Sequence, residues 1–145
     1  MRKLLIMWKW YAILSAVFAA LTAIFAKVGI KNIDSNLATA IRTCIVLCMT
    51  WGIVIAGNNL GGIKELSKTN WLFLILSGVA TGLSWLFYFK ALQLGDASKV
   101  APIDKMSVVI TIFLAFLILR EPVSWRVLLG GFLIAGGSLI ILTDK

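Results

Sequence analysis

The hydrophobic positions of this chain form five long stretches that are continuous rather than alternating. The stretches cover residues 10–26, 36–56, 71–92, 100–119 and 127–142, and short connections that hold most of the charge separate them. A helix rises about 1.5 Å per residue, so a hydrocarbon core about 30 Å thick requires roughly 20 residues. The pattern therefore predicts five membrane spans, and an odd number of spans places the two termini on opposite sides of the membrane.

The spans are predicted to be helices. Backbone polar groups inside lipid must be bonded within the protein, so only helices or a closed barrel can cross, and a barrel strand alternates apolar and polar positions. The composition agrees, with 61% hydrophobic residues and a mean hydropathy of +1.00. We therefore predict an all-α membrane protein with one transmembrane domain over residues 1–145 and no room for a soluble domain.

The basic balance of the chain does not indicate nucleic-acid binding. The net charge is +8, but the Lys and Arg residues are spread over every connection and form no block with interleaved aromatic residues. Basic residues that flank spans are typical of a protein surrounded by anionic headgroups. Histidine is absent, so neither a metal site nor a cofactor is expected.

The positive charges are balanced between the two sides of the predicted topology. Seven lie on the N-terminal side and seven on the other: Arg2, Lys3, Lys9, Lys64, Lys68, Arg120 and Arg126 against Lys27, Lys31, Arg42, Lys90, Lys99, Lys105 and Lys145. If Arg42, Lys90 and Lys105 lie within the spans, four remain on the second side. The positive-inside rule then gives a weak bias towards a cytoplasmic N-terminus or none, so insertion in both orientations is open.

Polar side chains recur at helical spacing within the apolar spans. Residues at i, i+3, i+4 and i+7 share a helix face, and the first four spans each carry a polar stripe at such spacing. In the third and fourth spans the stripes are Ser77, Thr81, Ser84 and Tyr88 with Trp85 at the edge, and Asp104, Ser107 and Thr111. Such hydroxyls either bond to their own backbone or a neighbouring helix, or line a wet cavity. Small residues in the last span predict close helix packing: Gly130, Gly131, Gly136 and Gly137.

Four ionisable residues are predicted to lie inside the spans and, together with the stripe residues of the third and fourth spans, are the candidates for solute binding or gating: Arg42, Lys90, Asp104 and Lys105. Lys90 is expected near the end of its span, and Asp104 and Lys105 about one turn into theirs. A charge in hydrocarbon is unfavourable unless it is paired, snorkels to the interface or meets water. Asp104 is too short to snorkel far, so we expect it to pair with Arg42 or Lys90, or to face a cavity. A functional role and a structural ion pair both remain open. Pro102 is expected in the first helical turn of its span, where its missing N–H matters little, or alternatively at a bend that opens the mouth of a cavity.

The sequence also predicts where three spans begin or end. Ser35 or Asn36 is expected to cap the second span and Ser124 the fifth, and the fourth span is expected to end before Pro122.

Several segments together resemble the EamA family of the drug/metabolite transporter superfamily. They are residues 88–92, 97–107 and 119–124, the glycine-rich last span, and the sequences around Lys27 and Arg42. Most members of that family resemble a tandem of two five-helix halves, in which one half is inverted in the membrane relative to the other. This chain resembles the short, single-repeat members, in which an Asp-Lys-hydrophobic-Ser run recurs at the position of Asp104 to Ser107. Many ten-span relatives have a proline where Val108 and Val109 stand here, so mechanisms that depend on that proline do not transfer.

The resemblance implies a secondary transporter, typically an exporter of small metabolites, in the prokaryotic cytoplasmic membrane. In such folds two inverted repeats enclose a site near the midplane and alternate its access. A single half would obtain the second repeat from another copy of itself or from a paralogue inserted in the opposite orientation. The implied partners are therefore a small solute, the lipid bilayer and a second half.

Other functions are less well supported by the sequence. A non-transporting scaffold or regulatory subunit of another membrane complex remains the alternative, with the polar stripes serving as contacts between helices. An enzyme is not expected, because the sequence shows no nucleophile–base pair, metal cluster or phosphate loop. Small multidrug exporters resemble four-span chains with a glutamate in the first span, which has no carboxylate here. The positive excess within the spans favours an anionic or zwitterionic solute.

Overall fold

The computed structural model describes residues 2–143, with side chains from residue 7 onward. It contains α1 (Arg2–Gly29), α2 (Ser35–Ala56), a 3₁₀ helix (Leu60–Glu65), α3 (Lys68–Leu94), α4 (Ala97–Asp104), α5 (Met106–Leu114), a π-helical turn (Ala115–Leu119) and α6 (Trp125–Leu142). The described residues include no strand. Five helical segments are long and apolar enough to cross a membrane, which confirms the predicted all-α membrane fold. The charges assigned to Arg2, Lys3 and Lys145 fall outside the described side chains.

Side-chain caps fix where two of the spanning helices begin. Asp34 caps α2, and its carboxylate accepts the backbone N–H groups of Asn36 and Leu37 at 2.9 and 3.1 Å. The sequence suggests Ser35 or Asn36 as this cap, which is wrong by one or two residues. A carboxylate at this position also interacts favourably with the positive end of the helix dipole. Ser124 caps α6 as predicted and accepts from the Val127 N–H.

The fourth span is interrupted at Lys105, three residues after Pro102. The helix starts at Ala97, so Pro102 lies in its second turn and the expectation of a first-turn proline is wrong. Inside a helix a proline lacks the N–H donor, and its ring clashes with the preceding turn. The α-helical hydrogen bonding stops at Asp104 and resumes at Met106. At the break, the Lys105 N–H donates to the Pro102 carbonyl at 3.0 Å, the shorter spacing of a 3₁₀ turn.

The fourth span ends before Pro122, as the sequence predicts. Its last turn is wider than an α-helical turn. Residues Ala115–Leu119 are π-helical, and Arg120 adopts the left-handed conformation with φ of 54°. The Glu121 N–H then donates back to the Ala115 carbonyl at 3.3 Å. A left-handed residue just after a helix lets later N–H groups reach the last carbonyls, although a side chain other than glycine makes it strained.

The chain divides into two compact units, Ala26–Gln93 and the combination of Met1–Phe25 with Leu94–Lys145. In the second of these, α6 runs antiparallel to α4 and α5. The Ser138 hydroxyl donates to the Pro102 carbonyl at 2.9 Å, and Gly131, seven residues earlier on the same face, is buried. A Cβ added to Gly131 would lie 3.2 Å from Cδ1 of Ile112. Gly131 of α6 therefore lies close to Ile112 of α5, as expected for a packing glycine in the last span.

The other glycines of α6 have no such neighbour. A Cβ added to Gly130, Gly136 or Gly137 would point into open space. Apart from the adjacent residues and the nearby backbone of α6, no atom would lie within 4 Å of it. Their part in helix packing therefore stays a prediction, one that would require a neighbouring chain.

We predict that Gly131→Leu destabilises the fold, because the larger side chain must displace Ile112 from α6. Overpacking of this kind costs about 1–3 kcal/mol. Thermal unfolding of the purified protein in detergent measures the effect. Gly52→Leu in α2 is the matched control, since a Cβ added there meets no atom within 4 Å and Gly52 is not one of the predicted packing glycines. A melting temperature that falls equally in both variants would contradict the packing assigned to Gly131.

Candidate solute-binding site

In the unit Ala26–Gln93, hydrogen bonds join the end of α1, the end of α3 and the connection that leads into α2. The Lys27 ammonium donates to the Leu92 carbonyl at 2.8 Å. The Gln93 side-chain amide donates to the Ile33 carbonyl at 2.8 Å. Phe89 and Leu92 of α3 are 2% and 0% exposed. This end of the unit is therefore fixed by polar contacts around a small apolar core.

Arg42 projects from α2 onto two aromatic rings of α3. Its Cζ atom lies 4.6 Å from the ring centroid of Trp85 and 4.7 Å from that of Phe89. The two aromatic residues are four positions apart, so they share one helix face. The guanidinium atom Nη1 is enclosed by protein and has no hydrogen-bond partner among the described residues. These three residues, Arg42, Trp85 and Phe89, are called the Arg42 site below.

The two ring contacts make a charge at this depth tolerable. An arginine at the centre of a spanning helix costs about 2.5–3.5 kcal/mol on insertion scales, and Arg42 lies about two turns into α2. A cation over an aromatic face gains about 0.5–2 kcal/mol, so two such contacts offset much of that cost. Ring faces attract the charge but carry no lone pair, which leaves the N–H donors of the guanidinium available for an oxygen acceptor.

Two other predicted residues of α3 lie beside the Arg42 site. The Tyr88 ring meets the Phe89 ring edge-on, with centroids 5.9 Å apart and an interplanar angle of 83°. The Lys90 ammonium is exposed and donates to the Gln93 side-chain oxygen at 3.1 Å. Lys90 therefore lies near the end of the span, as predicted, and contributes to the contacts there.

Two hydroxyls of the predicted stripes, those of Thr81 and Thr111, bond to their own helices. Thr81 donates to the Ser77 carbonyl at 2.9 Å, and Thr111 donates to the Ser107 carbonyl at 2.8 Å. Ser77, Thr81, Ser84, Ser107 and Thr111 are all exposed on the chain. Their hydroxyl oxygens can still accept a hydrogen bond from a solute, so a binding role for these residues stays a prediction.

Asp104 lies at the interruption of the fourth span, in the unit that contains α4 to α6. Its carboxylate pairs with Lys105 at 3.3 Å, and the Lys105 and Asp104 side chains are 54% and 35% exposed. The sequence predicts this pair about one turn into the span, whereas the earlier helix start places it about two turns in. The partner of Asp104 is thus its neighbour in sequence, and the pair stays reachable from outside the chain.

A separate apolar cavity of about 430 Å³ lies between α5 and α6. Its lining residues fall between 109 and 132 and carry no ionisable side chain. Among the predicted site residues it touches only Gly131. Nothing in its lining provides an orienting polar group for a charged solute. The Arg42 site and the Asp104–Lys105 pair, which belong to different units, are therefore treated as two separate candidates.

Phe89 is the functional candidate that the sequence prediction missed. It provides one of the two rings under Arg42 and is almost fully buried. Its position four residues after Trp85 was the available signal, because that spacing stacks two aromatic side chains on one helix face.

Comparison with known proteins agrees with this architecture. The EamA-like transporter family matches residues 6–143. The chain belongs to that family. A relative from Sinorhizobium sp., named an uncharacterized transporter in the cobO 3′ region, is 49% identical to this EamA-like chain over 134 residues, which cover 92% of the chain and 95% of the relative. No solved structure matches the chain.

The family and the five apolar helices together identify this EamA-like protein as an integral, multi-pass membrane transporter. Its partners therefore include a small-molecule solute and the lipid of the membrane. EamA-like transporters are generally not enzymes, which agrees with the absence of a catalytic constellation in the sequence.

We predict that Asp104→Asn reduces transport about tenfold or more while expression stays near normal. The amide keeps the shape of the side chain but removes its charge, and a hydrogen bond to a charged group is worth about 1.5–3 kcal/mol. Solute flux into proteoliposomes measures the effect. Asp96→Asn is the matched control, because Asp96 precedes α4 without a side-chain capping bond. Full activity of the Asp104 variant would leave that carboxylate with a structural role only.

Proposed function

We propose that this protein exports a small metabolite by alternating access, as an antiparallel homodimer in a prokaryotic cytoplasmic membrane. The observation that carries the proposal is the family match over residues 6–143, together with the five span-length apolar helices among the described residues. Transporters of this kind use two inverted repeats around a central site. One transmembrane domain over residues 1–145 supplies one repeat, and a second copy in the opposite orientation supplies the other.

Two further observations support a second copy. The Sinorhizobium relative is matched over 95% of its own length, so it too has the size of a single repeat. In the apolar windows of the five spans, at most 11% of the residues are buried within the chain. The spans therefore leave broad surfaces for lipid and for another chain. An oppositely oriented paralogue could fill the same place as a second copy.

The charges within the spans favour an anionic or zwitterionic solute. Arg42 is held over aromatic rings, whereas Asp104 is already paired with Lys105. With Lys90 at the end of α3, the described spans carry more positive than negative charge available to a solute. Arg42 and Lys90, with Tyr88 and Trp85 beside them, and Asp104 with Lys105 are the proposed binding or gating groups.

A membrane scaffold or regulatory subunit remains the second candidate, and the hydroxyl bonding favours it in one respect. Thr81 and Thr111 donate to their own helices, as purely structural hydroxyls do. Cysteine substitutions at Ser77, Thr81 and Ser84 distinguish the two functions. Labelling by a water-soluble thiol reagent in the membrane supports a wet transport path, and complete protection supports the scaffold.

We predict that orientation, and with it activity, can be controlled by charge. Three lysines added to the C-terminal tail should drive the population towards a cytoplasmic C-terminus, and three added to the N-terminus should drive the reverse, because the native charge difference is small. Each variant alone should lose solute flux, and coexpression of the two should restore it. Tags on the C-terminus report orientation, and proteoliposome flux reports activity.

The native protein is the control, and its C-terminal tag should be accessible on both faces of the membrane. Full activity of a variant locked in one orientation would contradict the antiparallel homodimer. A native C-terminus on one side only would also contradict the homodimer, and would direct the search to an oppositely oriented paralogue.

A further inference from the structure

We propose that the Arg42 site binds the oxyanion of the transported solute, a carboxylate or phosphate group, through the guanidinium of Arg42. This inference rests on the proposed transport function and names the chemical class of its solute. It is carried by the geometry of Arg42, Trp85 and Phe89 and by the charges of the unit Ala26–Gln93.

The guanidinium is positioned but not neutralised. Trp85 and Phe89 lie 4.6 and 4.7 Å from Cζ and hold the group against α3. Atom Nη1 is enclosed without an acceptor in the described residues, whereas Arg42 as a whole is only partly buried and can be reached from outside the unit. Buried donors almost always have a partner in folded proteins, so an enclosed, unbonded N–H of a charged group indicates a place for an acceptor.

The carboxylates of the same unit are not placed to supply that acceptor. They are Asp34 and Glu65. Asp34 is bonded to the first N–H groups of α2 at 2.9 and 3.1 Å. Glu65 follows the opposite end of α2, and Ala56 at that end is about 21 Å along the helix axis from Arg42. A carboxylate or phosphate partner for Arg42 would therefore have to come from outside the unit.

The hydroxyls next to Arg42 cannot take over its role as a donor. Thr39, one turn before Arg42, donates to the Ser35 carbonyl at 2.8 Å, and Thr43 donates to the Thr39 carbonyl at 2.7 Å. Each hydroxyl has a single proton, and both are committed to the backbone of α2. Recognition of an anion at this site therefore depends on the guanidinium.

The chemistry of the site favours an oxyanion over a halide. A guanidinium presents parallel N–H groups that match two oxygens of a carboxylate or phosphate. Contacts with two rings hold the planar group in place before the solute arrives, which lowers the ordering cost of binding. A lysine at this position would keep the charge and lose the paired donors.

The test measures binding without requiring transport. The full-length protein is reconstituted in phosphatidylcholine vesicles, and its thermal unfolding is followed while acetate, inorganic phosphate or uncharged acetamide replaces sodium chloride at constant ionic strength. Acetate or phosphate should raise the melting temperature with a saturable dose dependence, because a ligand that binds only the folded state stabilises it. Acetamide should give no shift.

Arg42→Lys is the decisive variant, because it keeps a cation near the rings and therefore the fold. We expect its apparent affinity for the anion to fall about tenfold or more, and Arg42→Met to show no anion-dependent shift. Lys31→Met is the matched control, an exposed cation in the same unit, and should keep the shift of the native protein. Equal anion shifts in all three variants, or no anion-specific shift in the native protein, would overturn the proposal.

A second arm separates a solute from a lipid headgroup. The same unfolding experiment is repeated in vesicles that contain phosphatidylglycerol, without added acetate or phosphate. If only this lipid stabilises the protein through Arg42, while the soluble anions do not, the site binds a headgroup and the solute proposal is wrong. A protein that binds soluble anions through Arg42 but moves no solute would refute transport alone. A protein whose transport is unchanged in Arg42→Lys would refute the anion site alone.

Discussion

Hydrocarbon offers no hydrogen-bond partner to a peptide group, and this constraint governs the whole architecture. It requires helices across the membrane, and it requires every interruption of a helix to be repaired within the chain. At the break near Pro102, the freed carbonyl accepts from both the Lys105 N–H and the Ser138 hydroxyl. Where the fourth span ends, the Glu121 N–H returns to the Ala115 carbonyl. The two irregular segments are therefore tolerated, because neighbouring groups of the chain form hydrogen bonds with the backbone groups that the regular helix leaves unpaired there.

Helix association in lipid has little hydrophobic driving force, because lipid tails are as apolar as leucine. Specific contacts must then decide how the helices meet. In the unit Ala26–Gln93 these contacts are the bond from Lys27 to the Leu92 carbonyl, the bond from Gln93 to the Ile33 carbonyl, and Arg42 over its two rings. The same charged groups that order this end of the unit are the ones suited to a solute.

Structure and function place different demands on Arg42. As a structural residue it requires only the rings of Trp85 and Phe89, which tolerate its charge. As a binding residue it requires donors that are still unsatisfied, and Nη1 is such a donor. Asp104 contrasts with it, because the ion pair with Lys105 satisfies its charge locally. We therefore infer that recognition of an anion depends first on Arg42, with the Asp104–Lys105 pair as a separate polar site at the broken span.

The membrane class, the five helices and the family could all be predicted from the sequence, because long apolar runs, short charged connections and the segments around Lys90, Asp104 and Glu121 are local features of the chain. The sequence also predicted the Ser124 cap and the helix end before Pro122. The contact of Phe89 with Arg42 and the bond from Ser138 to the Pro102 carbonyl could not be predicted in this way, since they join residues far apart in sequence. The interruption of the fourth span was visible in the sequence only as a nearby proline, because the place of Pro102 in the helix depends on where the helix starts.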